Sequence, residues 1–153
     1  MLLYLVQHAE AKRETEDPAR GLTEKGSEDI RKVAAYLGKL DMRTIRIFHS
    51  GKTRALETAR VLAEYLMPPK GITEADGLAP MDDPEVWQRR ILQINEDVVL
   101  VGHLPHLEIL ASLLLGGKKE KGVIDFKMGG ILCMKRSEGH WSVAWMMVPE
   151  VVA

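Results

Sequence analysis

The tightest constraint on the fold is an unbroken apolar run at the start, Leu2-Leu3-Tyr4-Leu5-Val6, that flips at once to Gln7-His8-Ala9-Glu10. It is far shorter than the ~20 residues of a membrane-spanning helix. With no polar residue alternating through it, it reads as a strand buried on both faces, the kind found inside parallel sheets covered by helices. The same design returns over residues 97–102, where Val98-Val99-Leu100-Val101 leads into Gly102-His103. In open α/β sheets the residues just past the carboxyl ends of strands lie over the ligand crevice. Both runs therefore deliver a histidine to the place where ligands bind.

The rest of the chain supplies the helices such a sheet needs. Residues 11–22 are polar, carry Pro18 and Gly21, and form a loop of about a dozen residues, long enough to be functional. A helix is predicted from Thr23 to about Leu40, with Ile30, Val33, Ala34 and Leu37 at helical spacing, Glu24 in its first turn and Lys39 in its last. Residues 43–48 read as a second strand ending at His49-Ser50, and Ser50 suits the N-cap of a helix over residues 51–66 that Pro68-Pro69 stops. A short strand is expected near Ile72, then a helix over residues 84–94 with Pro84 near its start. After the second histidine run a helix is expected from Leu104 through Leu115, closed by Gly116-Gly117, and residues 118–127 read as polar and exposed. Residues 130–135 and 141–148 flank Ser137-Glu138-Gly139-His140, a hairpin signal. The expected fold is α/β, a mostly parallel sheet with helices on both faces and an antiparallel edge hairpin at the carboxyl end. Residues 1–153 read as one domain, without internal repeats.

Composition narrows the function. Lys plus Arg number 21 against 22 Asp plus Glu, a net charge of −1, so no basic field points to nucleic acid or a membrane surface. The single cysteine, Cys133, excludes an internal disulfide and a cysteine metal cluster, and suits a reducing compartment. The opening run has neither a basic flank nor a small-residue cleavage site, so a cytoplasmic location is expected.

Two imidazoles, His8 and His103, reach the same sheet edge as Arg54, which lies in the first turn of the helix after Ser50. Helical side chains lean toward the N-terminus, so the guanidinium points back to that edge. The two adjoining helix starts, near Ser50 and Leu104, add free amides and positive dipole ends. This set suits an oxyanion, most simply phosphate. One imidazole attacks phosphorus and the other, protonated, holds the equatorial oxygens. Glu10, Glu74, Asp76, Asp82 and Asp83 are candidate proton donors, while His49, His106 and His140 read as structural. Met128, Met134, Met146 and Met147 read as packing rather than metal ligands. A metal hydrolase built from His8, Glu10, His103 and His106 is disfavoured, because those positions match no zinc spacing.

Four stretches in order resemble the histidine phosphatase (phosphoglycerate mutase-like) superfamily. Gln7-His8-Ala9 is similar to its Arg-His-Gly motif, and Leu22-Thr23-Glu24-Lys25-Gly26 to its Leu-Thr-x-x-Gly helix start. Ser50 to Ala59 is similar to its Ser-x-x-x-Arg-Ala-x-x-Thr-Ala segment, and Gly102-His103 to its second histidine. The short length, Leu78-Ala79-Pro80 and the closing Trp141 hairpin resemble the SixA-type branch of phosphohistidine phosphatases. The resemblance implies a phosphoglycerate mutase-like fold and a metal-independent, cofactor-free phosphatase. It implies His8 as the nucleophile that becomes phosphohistidine, with Arg54 and His103 as its catalytic partners. Gln7, Arg20, Arg54 and His103 then bind phosphate, and a phosphorylated protein or small phosphate compound is the substrate. Gln7 and Ala9 depart from the motif: a neutral amide donates hydrogen bonds but brings no guanidinium fork. Arg20 above all, then Lys12 or Arg13, are the cations expected to offset that loss. A catalytically weakened homologue that only binds phosphate or a phosphorylated partner is the alternative. Oligomeric state is left open.

Overall fold

The computed structural model of the chain describes residues 1–152. Its elements run β1 (Leu2–Gln7), α1 (Glu24–Lys39), β2 (Arg46–His49), α2 (Thr53–Leu66), β3 (Ile72–Glu74), α3 (Pro84–Leu92), β4 (Val98–Gly102), α4 (His106–Gly116), β5 (Ile131–Ser137) and β6 (His140–Met147), followed by a 3-10 turn, Pro149–Val151. The six strands form one sheet in the order β3-β2-β4-β1-β5-β6. The first four are mutually parallel, and the β5–β6 hairpin joins antiparallel to β1. This is the α/β architecture expected from the alternation of elements, with β6 as its outer edge.

The two opening runs occupy the middle of the sheet because they alone are apolar on every residue. Leu3 pairs with Val98 and Val6 with Val101. Alternate side chains of a strand face opposite ways, so each run feeds two cores. Tyr4, Val6, Val99 and Val101 pack with Ile30, Val33, Leu37, Ala55 and Leu62 of α1 and α2. Leu3, Leu5, Val98 and Leu100 pack with Trp87, Ile91, Leu107 and Leu110 of α3 and α4. Cys133 is a free thiol buried in the first of these cores. No described helix is long and apolar enough to cross a membrane.

Several boundaries differ from the sequence reading, each for a local reason. The second strand begins at Arg46 rather than residue 43: Thr44 spends its hydroxyl on the backbone carbonyls of Asp97 and Arg46, and Arg43 is exposed. Ser50 does not cap α2. Gly51 turns the chain through the left-handed region, φ +89, and Lys52 becomes an N-cap without a side-chain cap bond. Helix α4 starts at His106 rather than Leu104, with Pro105 as its N-cap residue, and α3 ends at Leu92, two residues early. Residues 118–127 are not uniformly exposed, since Phe126 is buried in the α3–α4 core and Ile124 packs against it.

Candidate active site

His8 leaves the end of β1 with its amide still in the ladder, donating to the Gly102 carbonyl at 3.0 Å. The residue is 9% exposed, and its Nδ1 lies 2.7 Å from the carbonyl oxygen of Ala9. A carbonyl can only accept, so Nδ1 carries the proton and Nε2 keeps its lone pair. The Ala9 amide donates to the Thr58 hydroxyl at 3.0 Å, and that hydroxyl donates to the Arg54 carbonyl at 2.7 Å. One threonine therefore ties the His8 loop to the first turns of α2.

His103 follows β4 and is 1% exposed. Its ring centroid lies 5.0 Å from that of His8, with the planes tilted by 49°. Its Nε2 is 2.7 Å from Ser50 Oγ, the hydroxyl that reads in the sequence as a helix cap. The Ser50 oxygen also accepts the Lys52 amide, at 3.4 Å. Thus the end of β2 holds the second histidine from the side.

Cations surround the pair. Burial and the nearby charges of Arg54 and Arg20 push the His8 pKa down. Burial, His8, Arg54 and Lys52 push that of His103 down to about 3. Both rings are therefore neutral at neutral pH in the unliganded protein. The charged side chains acting on the two rings are all cationic. Arg54 is half-buried, its Nε lies buried without a hydrogen-bond partner in the protein, and burial with Arg20 nearby lowers its pKa.

Arg20 reaches this group from a constrained loop. Its backbone sits in the left-handed region, φ +53, a conformation uncommon for a residue with a Cβ. Asp17 holds it there by accepting the amides of Ala19 and Gly21 on its carboxylate and that of Arg20 on its carbonyl. Glu57 of α2 accepts the Leu22 amide, and Arg20 Nε donates to the Lys12 carbonyl. Lys12 and Arg13 themselves are exposed on the loop. Gln7 closes β1 opposite Gly102, and its Oε1 is buried without a partner.

The nominated proton donors are mostly engaged elsewhere. Glu10 accepts the Thr23 hydroxyl, Asp76 pairs with Arg90, Asp82 accepts the Ala79 amide and Asp83 caps α3. Glu74 remains, exposed at the end of β3 over Gly51. His106 is fully buried on the first residue of α4, its ring nitrogens have no well-formed hydrogen bond although the Gly77 backbone is nearby, and burial lowers its pKa. His49 is buried and accepts the Gly51 amide, whereas His140 is exposed. Among the described residues no three His, Cys, Asp or Glu side chains are grouped to hold a metal ion. A cavity of ≈ 570 Å³ lies at the amino ends of β2 and β4, where Thr44, Tyr65 and Asp97 line it, away from the histidines.

Sequence reasoning missed three residues: Ser50 as the partner of His103, Lys52 as a nearby cation, and Thr58 as the tie between loop and helix. Ser50 and Thr58 stand in the motif segment, but their partners come from other strands, so spacing alone carries no sign of what they bind.

Comparison with known proteins agrees with this fold. A family model described as histidine phosphatase superfamily (branch 1) matches residues 3–83. No curated protein matches the chain by sequence. Among solved structures, the protein histidine phosphatase SixA complexed with tungstate superposes with a TM-score of 0.87 at 22% identity, covering 97% of each chain. A putative phosphohistidine phosphatase SixA from Agrobacterium tumefaciens gives 0.79 at 21% identity, again covering 97% of each chain. A phosphoserine phosphatase mutant from Entamoeba histolytica, in complex with phosphoserine, gives 0.73 at 16% identity over 95% of each chain. At these identities the likeness is one of fold.

Proposed function

The chain belongs to the histidine phosphatase superfamily, and on that footing we propose that it is a phosphohydrolase working through a phosphohistidine intermediate on His8, with protein phosphohistidine as its substrate class. The observation that carries this reading is the pairing of a neutral, tautomer-locked His8 with His103 across 5.0 Å, among cations only.

In the first step His8 Nε2 attacks phosphorus. The bond from phosphorus to the leaving nitrogen breaks, its electron pair goes to that nitrogen, and a proton from water neutralises it. Positive charge grows on the His8 ring as the new bond forms, and the Ala9 carbonyl on Nδ1–H is placed to stabilise it. Arg54, Arg20 and the Gln7 amide hold the non-bridging oxygens. His103 joins them by taking up a proton as the dianion arrives, because an opposite charge nearby favours the imidazolium. In the second step water attacks phosphorus, the P–N bond breaks with its electron pair returning to His8 Nε2, and the proton the water sheds goes to the hydroxide left by the first step. The scheme calls on no metal.

Substrate choice follows from the missing acid. An alkyl phosphate expels a very basic alkoxide and needs a general acid. The carboxylates of Glu10, Asp76, Asp82 and Asp83 are engaged by other groups, and the unengaged Glu74 acts on His49, while no carboxylate figures among the charges acting on His8 or His103. Imidazole leaving a phosphoramidate is far less basic, so water suffices. Incubation with phosphoramidate, alkaline quenching and peptide mass spectrometry should locate acid-labile phosphate on His8. Hydrolysis should vanish in His8→Ala and persist in chelator. Undiminished turnover by His8→Ala would refute the mechanism. Stabilisation by phosphate with no turnover of any phosphoramidate or ester would instead favour the phosphate-binding homologue, the reading that neutral Gln7 supports.

A further inference from the structure

The proposed site must balance a dianion while both of its histidines are neutral before the ligand arrives. Gln7, the side chain immediately before the nucleophile, brings no charge. Of the cations expected to compensate, Lys12 and Arg13 are exposed on the loop and do not figure among the charges acting on either ring. Lys52 does: its ammonium acts on His103 alongside Arg54.

Three features fit Lys52 for an anion. It is the N-cap residue of a fourteen-residue helix, in extended backbone at φ −65 and ψ 141, where no side chain caps the free amides. A helix start of this kind favours negative charge. Its own amide donates to the Ser50 hydroxyl, which touches His103 Nε2, so its backbone is tethered one hydrogen bond from the site. Finally, no carboxylate of the described residues lies within 4.0 Å of its ammonium, so no ion pair within the chain holds it away from a bound anion. It is exposed, so its long stem is free to swing over a bound group.

We infer that Lys52 is a phosphoryl-binding residue, a mobile cation at the start of α2 that supplies the charge Gln7 does not. This rests on the functional reading above. A lysine contributes as a point charge without the bidentate geometry of arginine, so it serves affinity better than orientation. Such an arrangement holds the phosphoryl group firmly enough to bind while leaving attack slower than a guanidinium fork would.

The test is calorimetric titration of inorganic phosphate into the protein and into Lys52→Ala, Lys52→Arg, Gln7→Arg, Gln7→Arg/Lys52→Ala and Arg54→Gln. Lys52→Ala should weaken binding about tenfold and flatten its salt dependence, as expected for loss of one partly exposed charge. Lys52→Arg should bind within about twofold of the parent. In the Gln7→Arg background the same Lys52→Ala change should cost less than about threefold, because the guanidinium then carries the charge. If Arg54→Gln abolishes binding while Lys52→Ala leaves it unchanged, the role of Lys52 is overturned and the phosphate site stands. If the parent protein binds no phosphate, both fall together. An equal loss from Lys52→Ala in the two backgrounds would overturn the compensation for Gln7.

Discussion

Replacing Gly26 by alanine tests whether the helix after the His8 loop is what fixes that loop. Gly26 is buried in the first turn of α1, and its amide donates to the Thr23 hydroxyl at 3.0 Å. By helix propensity alone, alanine in place of glycine stabilises by about 1 kcal/mol. The surroundings oppose this. A Cβ at residue 26 would fall inside the van der Waals envelope of the Glu10 carbonyl oxygen and 3.0 Å from that residue's carbonyl carbon and amide nitrogen. These are backbone atoms, and the carbonyl is already held by the Thr23 amide at 3.0 Å, so no rotamer relieves the contact. Overpacking of this kind costs about 1–3 kcal/mol, and here the added methyl meets main chain, which favours the upper end. Net destabilisation of about 1–2 kcal/mol is expected after the propensity gain, a fall of roughly 2–8 °C in Tm for a chain this size. Because Glu10 lies two residues after His8, a displacement of about 1 Å there should lower kcat by about 10²-fold. Urea unfolding with steady-state hydrolysis of phosphoramidate measures both effects. A Gly26→Ala protein more stable than the parent and equally active would refute the packing argument.

Three further outcomes are expected. Thr58→Val keeps the shape but strands the buried Ala9 amide, and should cost about 1–3 kcal/mol in urea unfolding, while Thr58→Ser should retain most of the hydrogen-bond contribution; equal stability of valine and serine variants would contradict the assigned bond. His103, held near a pKa of about 3 in the fold against about 6.5 when unfolded, binds its proton only in the unfolded chain between those values. Its contribution is complete above about pH 6.5 and falls by about 1.4 kcal/mol per pH unit on acidification toward about pH 3. The pH slope of unfolding free energy should therefore flatten in His103→Gln, and an unchanged slope would exclude a buried neutral ring. Gln7→Arg should raise kcat on phosphoramidate by about tenfold or more, up to the 10²–10³ that one preorganised donor contributes; a flat or lower rate would mean that the amide is not short of a charge.

Much of this molecule can be read before it folds. An all-apolar run can be satisfied only between two covered faces, so Leu2–Val6 and Val98–Val101 had to be central strands. Helical spacing at Ile30, Val33, Ala34 and Leu37 likewise specified a face before any partner for it was known. Strand ends then located His8 and His103, and the motif segment located Arg54, because those positions follow from local order along the chain. What folding alone decided is who meets whom. Ser50 has the residue type of a helix cap, yet its oxygen goes to a histidine 53 positions away. The left-handed backbone of Arg20 sits in a loop held partly by nearby Asp17 and partly by Glu57, which takes the Leu22 amide from 35 positions away. The acidic candidates were sorted the same way, by competition among backbone amides, hydroxyls and arginines for a few carboxylates. Periodicity records how a segment meets solvent and core, averaged over its length. Hydrogen-bond choice depends on single distances between segments remote in sequence, and those distances exist only once the sheet has assembled.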